Sequence, residues 1–273
     1  MKTYYCHFIG LSLFSVMMSH GALISTNLYA VQDATLYSSA DGSVAGGGDD
    51  RLFVGRNGIN GLLRSLLQFD VSSLPNGAVI QSASLQLTTV HTLRDGSSGV
   101  SAYRVMQAWS EGSTMPQRGG GEGNPAVLGD VTWLHSTYSN TLWSVAGGDF
   151  SSTLSSSVAV NAEGVHTLSG LAGDVQFMLD NPDQNFGWAL LRTSESSHAI
   201  KFGSRTHVSG QPVLQVTYES VIPEPQVVGI LLVGSFFSVS NRRKIRIQSK
   251  TRFYDVRVDA PFSKRVDKTD AVF

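Results

Sequence analysis

Five arginines, three tryptophans and three aspartates are the side chains of this 273-residue chain whose chemistry and setting suggest a ligand. Trp109, Trp133 and Trp143 each border a stretch of turn-forming residues. An indole at a loop offers a flat apolar surface to the C–H face of a sugar ring, while nearby amide or charged groups bind hydroxyls or carboxylates. Arg51, Arg56, Arg64, Arg104 and Arg205 would supply such groups as a basic strip, because a guanidinium grips a carboxylate with two parallel N–H donors. Packing in the core or at its rim is the competing use of each indole. Trp188 lies inside an apolar run and reads as core. Asp41, Asp49 and Asp50 flank the glycine turn 46–48. Hard carboxylate oxygens in a loop suit Ca2+, and a solvated turn is the plain alternative.

Patterns for catalysis are sparse. His91, His135, His166, His198 and His207 stand at no two-histidine metal spacing, and neither His-Glu-x-x-His nor Gly-x-Ser-x-Gly occurs. The run 119–123 lacks the Lys-Ser/Thr of a phosphate loop and reads as a flexible loop. Ser196-Ser197-His198 beside Glu195 reads as polar strand-end residues rather than a triad. Glu111 and Asp149 are candidates for a glycoside-cleaving pair only in the weak sense that a fold, not a sequence, sets carboxylate separation. We therefore expect no enzyme.

The elements that must position these groups read as strands. In Ala78–Val90, Ala83, Leu85 and Leu87 face one way and Ser84, Gln86 and Thr88 the other, the period of a half-buried strand. Leu62–Val71 is a second strand, closed by the turn-rich Ser72-Ser73-Leu74-Pro75-Asn76-Gly77. Phe186–Thr193 is apolar enough to be central, and Val213–Tyr218 alternates as a closing strand. Only Leu171–Leu179 has helical spacing. Short strands, Gly/Ser/Asn turns and one minor helix predict an all-β domain over residues 31–220, a single antiparallel β-sandwich.

Charge divides the chain. The net charge of −1 sums three unlike pieces: residues 1–30 carry one Lys, residues 31–220 carry nine basic against sixteen acidic residues, and residues 221–273 carry ten against five. An acidic body argues against nucleic acid as a partner. Residues 1–30 read as a secretory signal peptide: Lys2, then the apolar Ile9–Met18, then small residues with cuts expected after Gly21, Ala22 or Ala30. Cys6, the only cysteine, would leave with it, so disulfides are not expected in the mature chain.

Pro223-Glu224-Pro225, the uncharged Val227–Ser240 and then Arg242-Arg243-Lys244 resemble the PEP-CTERM sorting signal of Gram-negative bacteria. As a helix, 227–240 would reach about 21 Å, short of a hydrocarbon core of about 30 Å, which suits transient membrane insertion. The resemblance implies an exosortase-type processing enzyme as partner, Pro223, Glu224, Pro225, Arg242 and Arg243 as sorting residues over 221–244, and a cell-surface or extracellular address. Residues 245–273 form a basic tail with no assigned role.

Residues 31–220 carry a second resemblance. Asp33-Ala34-Thr35-Leu36, Arg51–Arg56, Arg64–Asp70 before Ser72-Ser73-Leu74-Pro75, and Ala83–Leu87 resemble the start of a DNRLRE domain. Ala108-Trp109-Ser110-Glu111-Gly112, Val131-Thr132-Trp133, Trp143 before Gly147–Phe150, and Phe202-Gly203-Ser204-Arg205 continue it. Arg205 is followed by Thr206-His207 where the family has an acidic residue. The resemblance implies a jelly-roll-type sandwich close to carbohydrate-binding modules, some attached to enzymes acting on acidic polysaccharides such as alginate. The expectation is thus an exported, non-catalytic protein that binds extracellular polysaccharide. The alternatives are a structural biofilm or envelope protein without a specific glycan and, less favoured, a polysaccharide-degrading enzyme.

Overall fold

A computed structural model describes residues 21–91, 98–117, 121–193 and 198–220 of the chain. The N-terminal apolar segment, Glu195–Ser197 of the histidine motif, and the sorting residues Pro223, Glu224, Pro225, Arg242 and Arg243 lie outside the described residues, as does the apolar stretch 227–240 expected as a helix. No helix among the described residues is long and apolar enough to cross a membrane.

The strands in chain order are β1 (Leu23–Tyr37), β2 (Val44–Ala45), β3 (Arg51–Arg56), β4 (Leu62–Phe69), β5 (Val79–Thr89), β6 (Ser98–Arg104) and β7 (Asn124–Pro125). They continue with β8 (His135–Thr137), β9 (Thr141–Leu142), β10 (Ser156–Val160), β11 (Gly164–Ser169), β12 (Trp188–Arg192), β13 (Ile200–Gly203) and β14 (Val213–Glu219). One α-helix, α1 (Ala172–Asp180), lies between β11 and β12. The alternating β5, the strands β4 and β14 and the helix fall within a residue or two of where the pattern puts them.

Ten strands pair into one antiparallel sheet, in the order β1-β14-β5-β13-β3-β4-β12-β6-β10, with β11 beside β5. β1 ties the two ends of this order together. Its residues 23–29 pair with β14, and after an irregularity between Ala30 and Gln32 its residues 32–37 pair with β4. A bulge re-aims a strand by inserting an unpaired residue, which lets one strand serve two partners. The pairings β1–β14–β5–β13–β3–β4–β1 therefore close on themselves, instead of leaving the two separate sheets of the expected jelly-roll sandwich. The all-β expectation holds; the closed ring is the feature it lacked. The expected boundary at residue 30 falls inside β1.

Inward-facing residues make the core. Leu85 and Leu87 of β5, Leu214 and Val216 of β14, and Phe202 of β13 are buried with Trp188, whose ring meets Phe69 edge-on at 6.1 Å. Burying each such side chain contributes about 1.5–3 kcal/mol. β12 sits between β4 and β6, as its apolar run requires. Helix α1 closes this core with Val175 and Met178. Gln176 docks it to the entry of β5, accepting from Ile80 N–H and donating to Ala78 O. A second buried cluster, with Ala34, Leu36, Leu66, Trp109, Val131 and Trp143, lies under the long loop segment between β6 and β10.

Candidate functional site

Buried polar groups must be satisfied inside the protein, and this requirement decides where most of the candidate residues go. Arg205 follows β13 and reaches a glutamate 94 residues earlier. Its Nε and Nη2 donate to the two carboxylate oxygens of Glu111, each at 2.6 Å. Glu111 Oε1 also accepts from the Asp33 N–H at 2.9 Å, and Asp33 Oδ2 accepts from the Arg205 N–H at 2.6 Å. Three distant segments are thus locked by a two-pronged ion pair. Asp33 is buried in β1, and that burial is the largest influence on its acidity. It pushes the carboxyl up to about 7; Glu111 adds to the rise, while the Arg205 N–H and guanidinium oppose it. The Arg205 guanidinium is in turn held more basic, chiefly by its bond to Glu111.

Arg64 and Trp133 do come together. Arg64 leaves β4 and its guanidinium carbon lies 4.8 Å from the centre of the Trp133 ring and 5.2 Å from that of Phe150. Its Nη1 donates to Gly147 O at 2.8 Å. Gly147 has φ +90, and a Cβ there would collide with Arg64 Nη1 and stand 2.8 Å from the Trp133 ring. Only glycine lets the loop settle so closely on the guanidinium. Trp133 and Phe150 are half-buried, packed on the rim of the second cluster. The result is a guanidinium between two rings at the surface of the fold, a stacking surface with polar edges.

The other two loop tryptophans serve the core. Trp109 is buried, its Nε1 donating to Phe186 O at 2.9 Å, and Trp143 is buried with Nε1 on Thr132 O at 3.0 Å. A buried indole needs such an acceptor. The remaining arginines are dispersed. Arg104 pairs with Asp174 of α1 at 3.4 Å and lies 3.9 Å from the Phe177 ring centre. Arg56 donates to Asn60 O at 2.6 Å. Arg51 contacts Asp49 at 3.2 Å and Asp50 at 3.0 Å. A single basic strip of five arginines is not what these contacts form.

Asp49 and Asp50 therefore share one arginine, and Asp41 caps its own turn by accepting from Ser43 N–H at 3.1 Å; its carboxyl's pKa is lowered, first by the Ser43 hydroxyl and then by that N–H. The buried Asp49 is raised, first by desolvation. No group of three or more His, Cys, Asp or Glu side chains among the described residues is placed to hold a metal ion. The glycine run has another use: a Cβ on Gly47 would collide with Glu111 O, and Gly48 N–H donates to Thr114 O at 3.0 Å. These glycines let the turn press against the backbone that carries Glu111.

Asp149, the other carboxylate singled out beside Glu111, accepts from the N–H groups of Ser144 and Val145 and holds its own loop. No motif in the sequence sets Asp130 apart. Fully buried, it accepts from Ser113, Thr114 and Val127 N–H groups and from the Thr114 hydroxyl, organising the loop around Glu111. Its environment, not its neighbours in sequence, marks it.

Residues 24–115 match the model of carbohydrate-binding module family 96. The match supports a carbohydrate-binding-module-like domain. It spans β1 to β6 and contains Asp33, Arg51, Arg56, Arg64, Arg104, Trp109 and Glu111, while Trp133, Trp143 and Arg205 lie beyond it. No curated protein matches the chain.

Proposed function

We propose that this is an exported, non-catalytic protein whose β domain binds extracellular polysaccharide. The match to a carbohydrate-binding module family over residues 24–115 carries this reading. The Arg64–Trp133–Phe150 cluster supports it, because it places half-buried aromatic rings at the rim of the fold, where a sugar ring can stack. Of the five arginines and three tryptophans considered, Arg64 and Trp133 are the pair we assign to glycan contact. Gel retardation of the full chain by a panel of neutral and acidic polysaccharides tests the reading. Retardation that weakens in Trp133→Ala is the expected result, and no retardation by any glycan would overturn it.

The address is proposed on Pro223-Glu224-Pro225, the apolar stretch after it and the basic cluster, which we assign to sorting by an exosortase-type enzyme with transient membrane insertion and delivery to the cell surface. Replacing the three residues by alanine should leave the protein retained in the membrane. Unchanged surface delivery would sink the assignment.

A further inference from the structure

The outer face of the sheet half formed by β1, β14, β5 and β11 has an unusual composition. The registers align its outward residues in rows. Ser25 stands opposite Thr217, and Thr217 opposite Ser82; Asn27 stands opposite Gln215, and Gln215 opposite Ser84. Ser84 and Gln86 continue the rows to Ser169 and Thr167 of β11. Neighbouring strands lie about 4.8 Å apart, so four strands make a surface about 14 Å across. The inward partners Leu85, Leu168, Leu214 and Val216 of β5, β11 and β14 are buried and Leu28 of β1 is half-buried, which turns the other side of these strands toward solvent.

The side chains of these rows bond to one another across the strands. The hydroxyls of Ser25 and Thr217 are 2.8 Å apart, and Gln86 Nε2 donates to Gln215 Oε1 at 3.1 Å. Paired amides and hydroxyls are held in fixed positions with donors and acceptors to spare, since each amide carries two N–H groups and a carbonyl. No Lys, Arg, Asp or Glu stands in the rows; Glu219 sits at one end, bonded to Gln81 Nε2 at 3.3 Å and to the Gly21 N–H at 2.9 Å. Soluble β proteins ordinarily guard such a face and its edge with charge or proline. Here β1 leaves its first eight residues, Leu23 to Ala30, without either, and exposes Tyr29 at 58%. A domain with seven excess acidic residues over 31–220 thus keeps one broad face neutral.

We propose that this face is a second glycan-binding surface, separate from the Arg64–Trp133 contact, and that it takes an uncharged, hydroxyl-rich polysaccharide. The inference rests on the carbohydrate-binding reading and names the substrate class: fixed amides and hydroxyls complement sugar hydroxyls, and Tyr29 supplies an apolar ring at the edge. A polyanion would find no cation in these rows to neutralise it. The amide pair Gln86–Gln215 and the exposed Tyr29 are the anchors.

The test is affinity electrophoresis of the full chain through gels containing soluble β-glucan, β-mannan or xylan, with alginate as the acidic counterpart. Gln215→Glu with Tyr29→Ala places a charge in the rows and removes the ring; both positions are exposed, and Gln215→Ala with Tyr29→Ala is the milder version. At least tenfold weaker retardation by a neutral glycan in both versions, with Trp133→Ala keeping retardation above theirs, is the expected result. Unchanged neutral-glycan retardation in both versions overturns the second surface and leaves the carbohydrate-binding reading standing. Retardation by alginate alone overturns the neutral class in the same way. No retardation by any of the four glycans overturns both.

Discussion

Asp33→Asn isolates the energetic cost of the buried carboxyl. In the unfolded chain Asp33 has its ordinary pKa of 3.8, and in the fold it is pushed up to about 7, chiefly because burial penalises its charge. The folded state therefore holds a proton that the unfolded state has already released between those values. The sign follows: this group's contribution to stability is fully present below pH 3.8, falls as pH rises, and is gone once pH passes about 7. A gap of about three pH units at about 1.4 kcal/mol each makes the loss about 4 kcal/mol. The amide that replaces the carboxyl carries no charge at any pH and keeps a carbonyl to accept the Arg205 N–H. The variant should match wild type near pH 4 and exceed it by up to about 4 kcal/mol at pH 8. Urea unfolding followed by tryptophan fluorescence at pH 4.5, 6, 7.5 and 8.5 reads the difference directly, because the other carboxylates cancel between the two proteins. Parallel pH profiles across that window would refute the burial argument.

Three further outcomes follow from the contacts. Arg205→Ala leaves Glu111 without its two-pronged partner and should cost about 1–3 kcal/mol in denaturant unfolding, with Arg205→Lys recovering only part, since an ammonium cannot reproduce the planar fork. Gly147→Ala forces φ +90 on a residue with a Cβ and drives that carbon against Arg64 and Trp133. It should cost about 1 kcal/mol or more and shift the emission of the protein as Trp133 is displaced. On the proposed export, N-terminal sequencing of the mature protein should begin at Ala22 or Leu23 and not at Val31, because a cut after Ala30 would strip Leu23 to Tyr29 from β14 and Ala30 from β4.

Period and composition made β5, β12, β14 and α1 legible, because each buries one face or stripe and the chain advertises that as alternation, an apolar run or helical spacing. β1 was obscured for a physical reason. Its first half is an edge strand with Leu23, Ser25, Asn27 and Tyr29 outward and half-buried Leu28 and Ala30 inward, a mixed pattern that also suits the end of a secretory signal. Residue type alone placed Arg51, Arg56, Arg64, Arg104 and Arg205 in one class. The fold assigns them separate partners, and the Arg205–Glu111 pair, 94 residues apart, has no local signature. Trp109 and Trp143 border loops, which leaves a sugar-facing and a packing use both open in sequence; the fold gives them the packing use, because those loops fold back over a buried cluster. Trp133 differs only in the rim position that the loop around Gly147 leaves it.

The double membership of β1 also governs when the domain can finish folding. Its first half finds its partner only in β14, and the Ser25–Thr217 hydroxyl contact joins residues 192 apart in the chain. Pairing of such high contact order forms late and slowly, since a long loop must close before any contact rewards it. A chain still emerging through a narrow passage would have β1 available from the start but nothing to receive it until residues 213–219 arrived. The first strand out waits for the last, so completion of the ring coincides with delivery of the whole domain.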